Sequence, residues 1–350
     1  MQRIKSLDLA RGFTVLMIAP IHTVMLYSNL AIRETLFAKL LAFVAEGPGA
    51  QLFMMLMGIF FAISPPKNFQ TVCKRVFYLL LVAYLLNVFK FVIPYALGLL
   101  SDDLLNDLQI QNAPGGYVQS LLLGDILHFA ALAQLALFSI QRMKYYHIVA
   151  VLLAGFYCVM SPMFWDIHIR YPAFDYLYQL TGGAPPKVFF PFLPWIVYPL
   201  VGLFIGHYFK TTERQKVYWY VRDIGWILIV SSCIVKYSFK MAAEQSFYRT
   251  YPNDTMIHLG IVLVWLSCWE WIQDNVKDNF FFNVLRYMSR HITKIYIIQW
   301  IIICWLLPLF GYQKLDLFQT ICAIILTSFL TITISFLITE KPKHNSFNIE

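Results

Sequence analysis

Long apolar runs, separated by short polar or charged clusters, dominate this chain from end to end. A helix needs about 20 predominantly apolar residues to cross the hydrocarbon of a bilayer. Ten such runs can be drawn, near 11–28, 48–64, 75–95, 118–140, 146–164, 188–208, 219–237, 255–273, 289–307 and 317–338. The pattern predicts an all-α fold, a polytopic transmembrane helical bundle. No internal repeat, low-complexity tract or linker divides residues 1–350, so one integral membrane domain is expected. The sixth run carries Pro191, Pro194 and Pro199 and is expected to be broken, with neighbours satisfying its freed backbone groups. Its Gly202 and Gly206 form a GxxxG face for close helix packing. The first run is too long for a signal-peptide core, contains His22 and lacks a small-residue cleavage site. It is read as a retained helix.

Composition agrees with the pattern. Only 13% of the 350 residues are charged, against about a quarter in soluble domains. Charge placement then orients the spans. With the N-terminus inside, 18 of the 27 Lys and Arg fall in cytoplasmic segments, eight fall outside, and Lys90 lies within a span. The positive-inside rule therefore places both termini in the cytoplasm, as ten spans require. The net charge of +8 reads as a topology signal, so no nucleic-acid partner is implied. The six cysteines are scattered singly without a CxxC, which indicates neither a metal site nor a disulfide framework. The connections 97–117, 165–187 and 238–254 are the longest, and all three are expected outside, where they would form a substrate mouth.

Candidate chemistry begins in the first span. Arg11 and His22 are eleven residues apart, about three turns plus 20°, so they share a helix face roughly 16 Å apart. A histidine near mid-membrane and an arginine at the inner boundary mark an intramembrane site. Asp8 can pair with Arg11 at i, i+3, and Pro20 is expected to bend the helix beside His22. Arg286, Arg290 and Lys294 recur every four residues at the start of the ninth span. They form a basic stripe suited to ligand phosphates or to anionic lipid headgroups. On the outer side, Glu46 heads the second span. Asp125 and His128 are i, i+3 neighbours in the fourth, at a depth similar to His22, and could form a carboxylate–histidine base.

The opening Arg3-Ile4-Lys5-Ser6-Leu7-Asp8-Leu9-Ala10-Arg11-Gly12 resembles that of the heparan-α-glucosaminide N-acetyltransferase-like family of integral membrane proteins. Further stretches resemble the family in order: Gly47-Pro48-Gly49-Ala50-Gln51-Leu52-Phe53 through Gly58, Gly124-Asp125-Ile126-Leu127-His128, Phe190-Pro191-Phe192-Leu193-Pro194-Trp195, Tyr251-Pro252-Asn253-Asp254, and Arg290 to Gln299. The Arg11-to-His22 spacing is also similar to an arginine–histidine signature in membrane acyltransferases that O-acetylate bacterial surface glycans. There the arginine is associated with the acyl-CoA side and the histidine with acyl transfer. Two departures stand out. The loop Tyr27–Ala45 lacks the histidine assigned to catalysis in the lysosomal member, and Gln299 stands where many relatives have a histidine.

The resemblance implies a membrane acyltransferase that moves an acetyl or short acyl group from cytoplasmic acetyl-CoA to a hydroxyl or amine of an extracytoplasmic sugar or glycan. Asp8, Arg11, Arg286, Arg290 and Lys294 would serve the acyl donor. His22, with Asp125, His128 or Glu46, would serve the chemistry. A bacterial inner membrane, with its lipid, is the expected setting. The alternative is a transporter or lipid-handling membrane protein that shares the fold without the transferase activity.

Overall fold

The computed structural model describes residues 4–110, 115–239 and 246–339. Nine helical stretches among these residues are long and apolar enough to cross a membrane. The chain is an all-α, polytopic integral membrane protein. Ten helices organise it: α1 (Lys5–Tyr27), α2 (Ala50–Ile63), α3 (Phe69–Asn87), α4 (Ile126–Gln141), α5 (Tyr146–Met160), α6 (Val197–Thr211), α7 (Arg214–Ser238), α8 (Pro252–Asn275), α9 (Ile292–Phe310) and α10 (Leu317–Thr339).

Three expectations about local structure need correction. The fourth run, expected to be one span over 118–140, is two pieces, Gly115–Leu121 and α4, with a non-helical break between them. At 16 residues, α4 is only about 24 Å long. The break survives in an apolar setting because neighbours satisfy its backbone. Asn87 Nδ2 donates to the carbonyls of Leu121 and Leu123 at 2.9 and 2.8 Å. Gly124 exchanges two backbone hydrogen bonds with the 187–189 segment. The ninth span starts at Ile292, not at 289, because the chain turns at His291 after a separate helix, Phe280–Arg290. Arg286 and Lys294 therefore do not share one helix. Finally, the second span is preceded by a helix, Leu36–Val44, and a π-helical turn, Ala45–Gly49.

The core is closed by contacts that admit no side chain. α2 and α6 pack so tightly that a Cβ on Gly58 would lie 2.0 Å from the Pro199 carbonyl oxygen, and one on Gly202 would lie 2.0 Å from that of Met55. The GxxxG face is thus used as expected. The obstructing atoms are backbone, which cannot rotate away. Gly202→Ala is therefore expected to cost at least the upper end of the ~1–3 kcal/mol typical of overpacking. A lowered thermal midpoint in detergent would show it, and an unchanged midpoint would contradict the packing.

At one end of the bundle, the connections that follow α1, α3, α5, α7 and α9 join one another. Ser28 pairs with Leu315, Tyr312 donates to Asp107 at 2.6 Å, and Arg249 bonds Asp166 at 2.7 Å. At the other end, Arg214 bonds Glu270 at 2.8 Å and Arg11 reaches Ser289 at 2.8 Å. For connections to alternate between ends in this way, α4, a shorter apolar helix, runs from one end of the bundle toward the other.

Candidate active site

A cavity of about 520 Å³ opens along one face of α1, which contributes Thr14, Met17, Ile18, Ile21, His22 and Met25. Their spacing of three and four is that of a single helical face. Its other walls come from α9, through Ile292, Tyr296, Trp300 and Cys304, and from irregular segments: the turn at Ala45–Gly49, the break at Asp125, and the loop through Pro185, Pro186 and Phe189. Leu104 and Asp107, Pro185 and Pro186, and Phe247 and Tyr248 all line it, so each of the three long connections reaches the same mouth.

His22 lines this cavity and is held on two sides. Its Nδ1 lies 3.2 Å from Gln299 Oε1, and its ring stacks on Trp300 with centroids 4.0 Å apart and planes 28° apart. Both partners come from α9, which α1 crosses in the core. Gln299 is fully buried, and its amide nitrogen donates to the Tyr296 carbonyl at 3.2 Å.

Beside His22 sits a buried ion pair. Lys90 Nζ lies 2.9 Å from Asp125 Oδ2, and the Tyr296 hydroxyl donates to the same oxygen at 2.9 Å. Lys90 also lies 4.1 Å from the centroid of Trp300 and 4.7 Å from that of Phe91. The local backbone explains both charges. α3 continues into a π-helical turn, Val88–Val92, that carries Lys90 inward, and such turns recur at functional sites. Asp125 is the N-cap of α4, with Oδ1 accepting the Ile126 N–H at 2.7 Å, as N-cap carboxylates do. Gly124 precedes it because a Cβ there would meet the Val188 side chain at 2.8 Å.

His128 is not part of a base pair with the Asp125 carboxylate. Its Nδ1 accepts the Asp125 backbone N–H at 3.1 Å, its ring packs edge-on against Tyr84, and Nε2 has no hydrogen-bond partner among the described residues. The i, i+3 spacing that suggests a catalytic pair is the spacing of a helix cap and its third residue. Asp125 enters the cavity and His128 closes the cap behind it. The Glu46 side chain lies outside the described residues, although its neighbours Ala45 and Gly49 line the cavity.

Arg11 stands one turn before Thr14, just beyond the cavity lining. Its Nη2 bonds Asp8 at 3.1 Å and its Nε bonds Ser289 at 2.8 Å, while Ser289 Oγ donates to Asp8 at 3.1 Å. The guanidinium also lies over the Phe60 ring. Gly12 lets this happen: its Cβ position is 1.9 Å from the Leu285 carbonyl oxygen, so the Phe280–Arg290 helix comes close enough for Ser289 to meet Arg11. Arg286 is drawn to Asp278 and Asn283 at 2.6 and 2.7 Å, whereas Arg290 and Lys294 are exposed. The structure thus joins His22 with Asp125 and Asp8 with Arg11. It does not gather Arg286, Arg290 and Lys294 into one cluster.

The family model described as heparan-alpha-glucosaminide N-acetyltransferase, catalytic, matches residues 3–241. The chain belongs to this family. No curated protein and no solved structure matches it. As a member of this membrane acetyltransferase family, the chain carries Arg11, His22, Lys90 and Asp125 inside the matched region, while Tyr296, Gln299 and Trp300 follow it. The acetyltransferase-family segment therefore supplies the histidine and the ion pair, and α9 supplies the groups that hold them. Lys90 is the residue hardest to single out from sequence. Its one signal is a lone lysine in an apolar run, which is by default functional. Tyr296 and Trp300 give no signal, because aromatic residues are common in membrane helices.

Arg33, Asp107 and Tyr312 line the cavity at the end away from Arg11. Burial, and then the Asp107 carboxylate, push the Tyr312 hydroxyl up to about 12. At neutral pH it is therefore the neutral donor in its bond to Asp107.

Proposed function

We propose that this protein transfers an acetyl or short acyl group from acetyl-CoA to a hydroxyl or amine of a sugar or glycan that enters from the extracytoplasmic side. The observation that carries the reading is a histidine held in a membrane-embedded cavity beside a buried Lys–Asp pair, in a chain of this acetyltransferase family. Positive-inside charge placement supports cytoplasmic termini, and with the resemblance to bacterial relatives it points to a bacterial inner membrane.

The residues fit such a donor. The α1 face from Thr14 to Met25 is mostly apolar and suits a pantetheine arm, with polar groups concentrated where His22 and Lys90 line the cavity. When bound, acetyl-CoA supplies an activated acetyl thioester. Arg11, one turn before Thr14, would meet its phosphates. His22 would take the proton of the acceptor hydroxyl or amine as the acceptor attacks, and return it to the departing sulfur. Lys90 uses one N–H toward Asp125. Its charge and remaining donors would stabilise the negative charge that develops on the carbonyl oxygen. Asp125 holds Lys90 in place, and Tyr296 holds Asp125.

Binding tests the donor. Radiolabelled acetyl-CoA should bind purified protein saturably in detergent, and Arg11→Ala should weaken that binding by a factor on the order of ten, the loss of one charge-assisted contact. Absence of binding to well-folded wild type would overturn the reading. Broken helices around a buried charged pair also suit a carrier, and that second reading predicts substrate flux without any dependence on acetyl-CoA.

A further inference from the structure

Gln299 is the residue hydrogen-bonded to His22. Its orientation is set by a neighbour. The carbonyl oxygen of Tyr296 can only accept a hydrogen bond, so the Gln299 atom 3.2 Å from it must be the amide nitrogen. The Gln299 oxygen is then the atom that faces His22 Nδ1 at 3.2 Å. An amide oxygen accepts and never donates, so Nδ1 must carry the hydrogen. In a neutral imidazole, one nitrogen donates and the other accepts. Nε2 is left with its lone pair.

Three further observations favour this arrangement. Gln299 is fully buried, so its amide has no water to exchange partners with. Gln299 and Tyr296 lie on one helix, α9, so the orienting carbonyl is fixed with respect to the amide. Trp300, one residue on, stacks on the imidazole and keeps the ring plane in register with the hydrogen bond.

We infer that Gln299 is the positioning residue of this site: it fixes His22 as the Nδ1–H tautomer and presents a bare Nε2 to the acyl-transfer cavity. The role rests on the transferase reading, but the tautomer does not. Carboxylates and backbone carbonyls commonly orient a catalytic histidine. Here a neutral amide does so, at a depth where a second buried carboxylate near Asp125 would carry a large desolvation cost.

The test is ¹⁵N NMR of histidine-labelled full-length protein in detergent at neutral pH, with the His22 resonances assigned by their loss in His22→Gln. A pyrrole-type Nδ1 and a pyridine-type Nε2 are expected. An Nε2-protonated or doubly protonated ring would overturn the assignment, whatever the protein's activity. Gln299→Met is expected to mix the two tautomers and lower kcat by about 10- to 100-fold with KM unchanged, the scale on which a misplaced catalytic group acts. Gln299→Asn keeps a neutral amide that can accept from Nδ1, and it should retain more of the wild-type tautomer and of kcat than Gln299→Met. Equal kcat in wild type and Gln299→Met would overturn the positioning role. The predicted tautomer in a protein that neither binds nor uses acetyl-CoA would instead sink the transferase reading and leave the tautomer standing.

Discussion

Replacing His22 with alanine is expected to lower acyl transfer by about 10²- to 10⁴-fold, the range a positioned general base supplies, while acetyl-CoA binding stays within a few-fold of wild type. The reason is geometric. His22 is the histidine among the described residues that line the cavity, and His128 is turned away to cap α4. No second imidazole among those lining residues stands ready to replace it. The substitution should leave the fold intact, because His22 faces a cavity and its loss removes one hydrogen bond and one ring stack. Turnover with a sugar acceptor, measured beside donor binding, checks this. Transfer that persists at wild-type rate would remove His22 from the mechanism and shift attention to the Lys90–Asp125 pair.

The second large effect concerns that pair. Asp125→Ala should destabilise the protein by about 3–5 kcal/mol, because it leaves Lys90 as an uncompensated buried charge. It also removes the acceptor that caps the Ile126 N–H, a loss of about 1 kcal/mol. Buried pairs contribute little net stability compared with apolar replacements. The double substitution Lys90→Met with Asp125→Asn should therefore recover most of the lost thermal stability. The amide oxygen introduced by Asp125→Asn still caps the helix, and no charge is stranded. The double substitution should not recover transfer, because it removes the cation proposed to stabilise the reacting carbonyl. Thermal unfolding in detergent, paired with an activity assay, separates the two effects. A double variant as unstable as Asp125→Ala would contradict the coupling drawn here. A double variant that is both stable and fully active would make the pair purely structural.

The family membership also sets the limits of the mechanism. The matched region ends at residue 241, yet the side chains that touch His22 come from residues 299 and 300. The role proposed for His22 therefore rests on a helix outside the matched segment. Substitutions in α9 should be as damaging to turnover as substitutions in α1.

Much of this architecture is legible in the chain, and the reasons are physical. A helix that crosses hydrocarbon must satisfy its own backbone and present apolar side chains over a fixed length, so approximate boundaries and fold class follow from local composition. The Arg11–His22 face is likewise a local property of one helix, as is the small-residue face of α6. What the sequence does not supply is everything that depends on two distant segments meeting. Asp125 and His128 are neighbours in either view, but their division of labour is decided by Lys90 and Tyr296 arriving from the end of α3 and from α9. The break before α4 lies in a run as apolar as its neighbours. It exists because Asn87 and the 187–189 backbone satisfy the groups it frees. Arg286, Arg290 and Lys294 form one stripe only on an ideal helix continued through His291, where the chain in fact turns. The role of Gln299 is beyond any local reading, since an amide acquires direction only from what binds its two ends. Periodicity and hydrophobicity by themselves determined the elements and their membrane setting. Only tertiary contact decided which polar groups share the cavity, because a buried charge or hydrogen-bond donor takes its function from its partner, and partners such as Arg11 and Ser289 lie 278 residues apart.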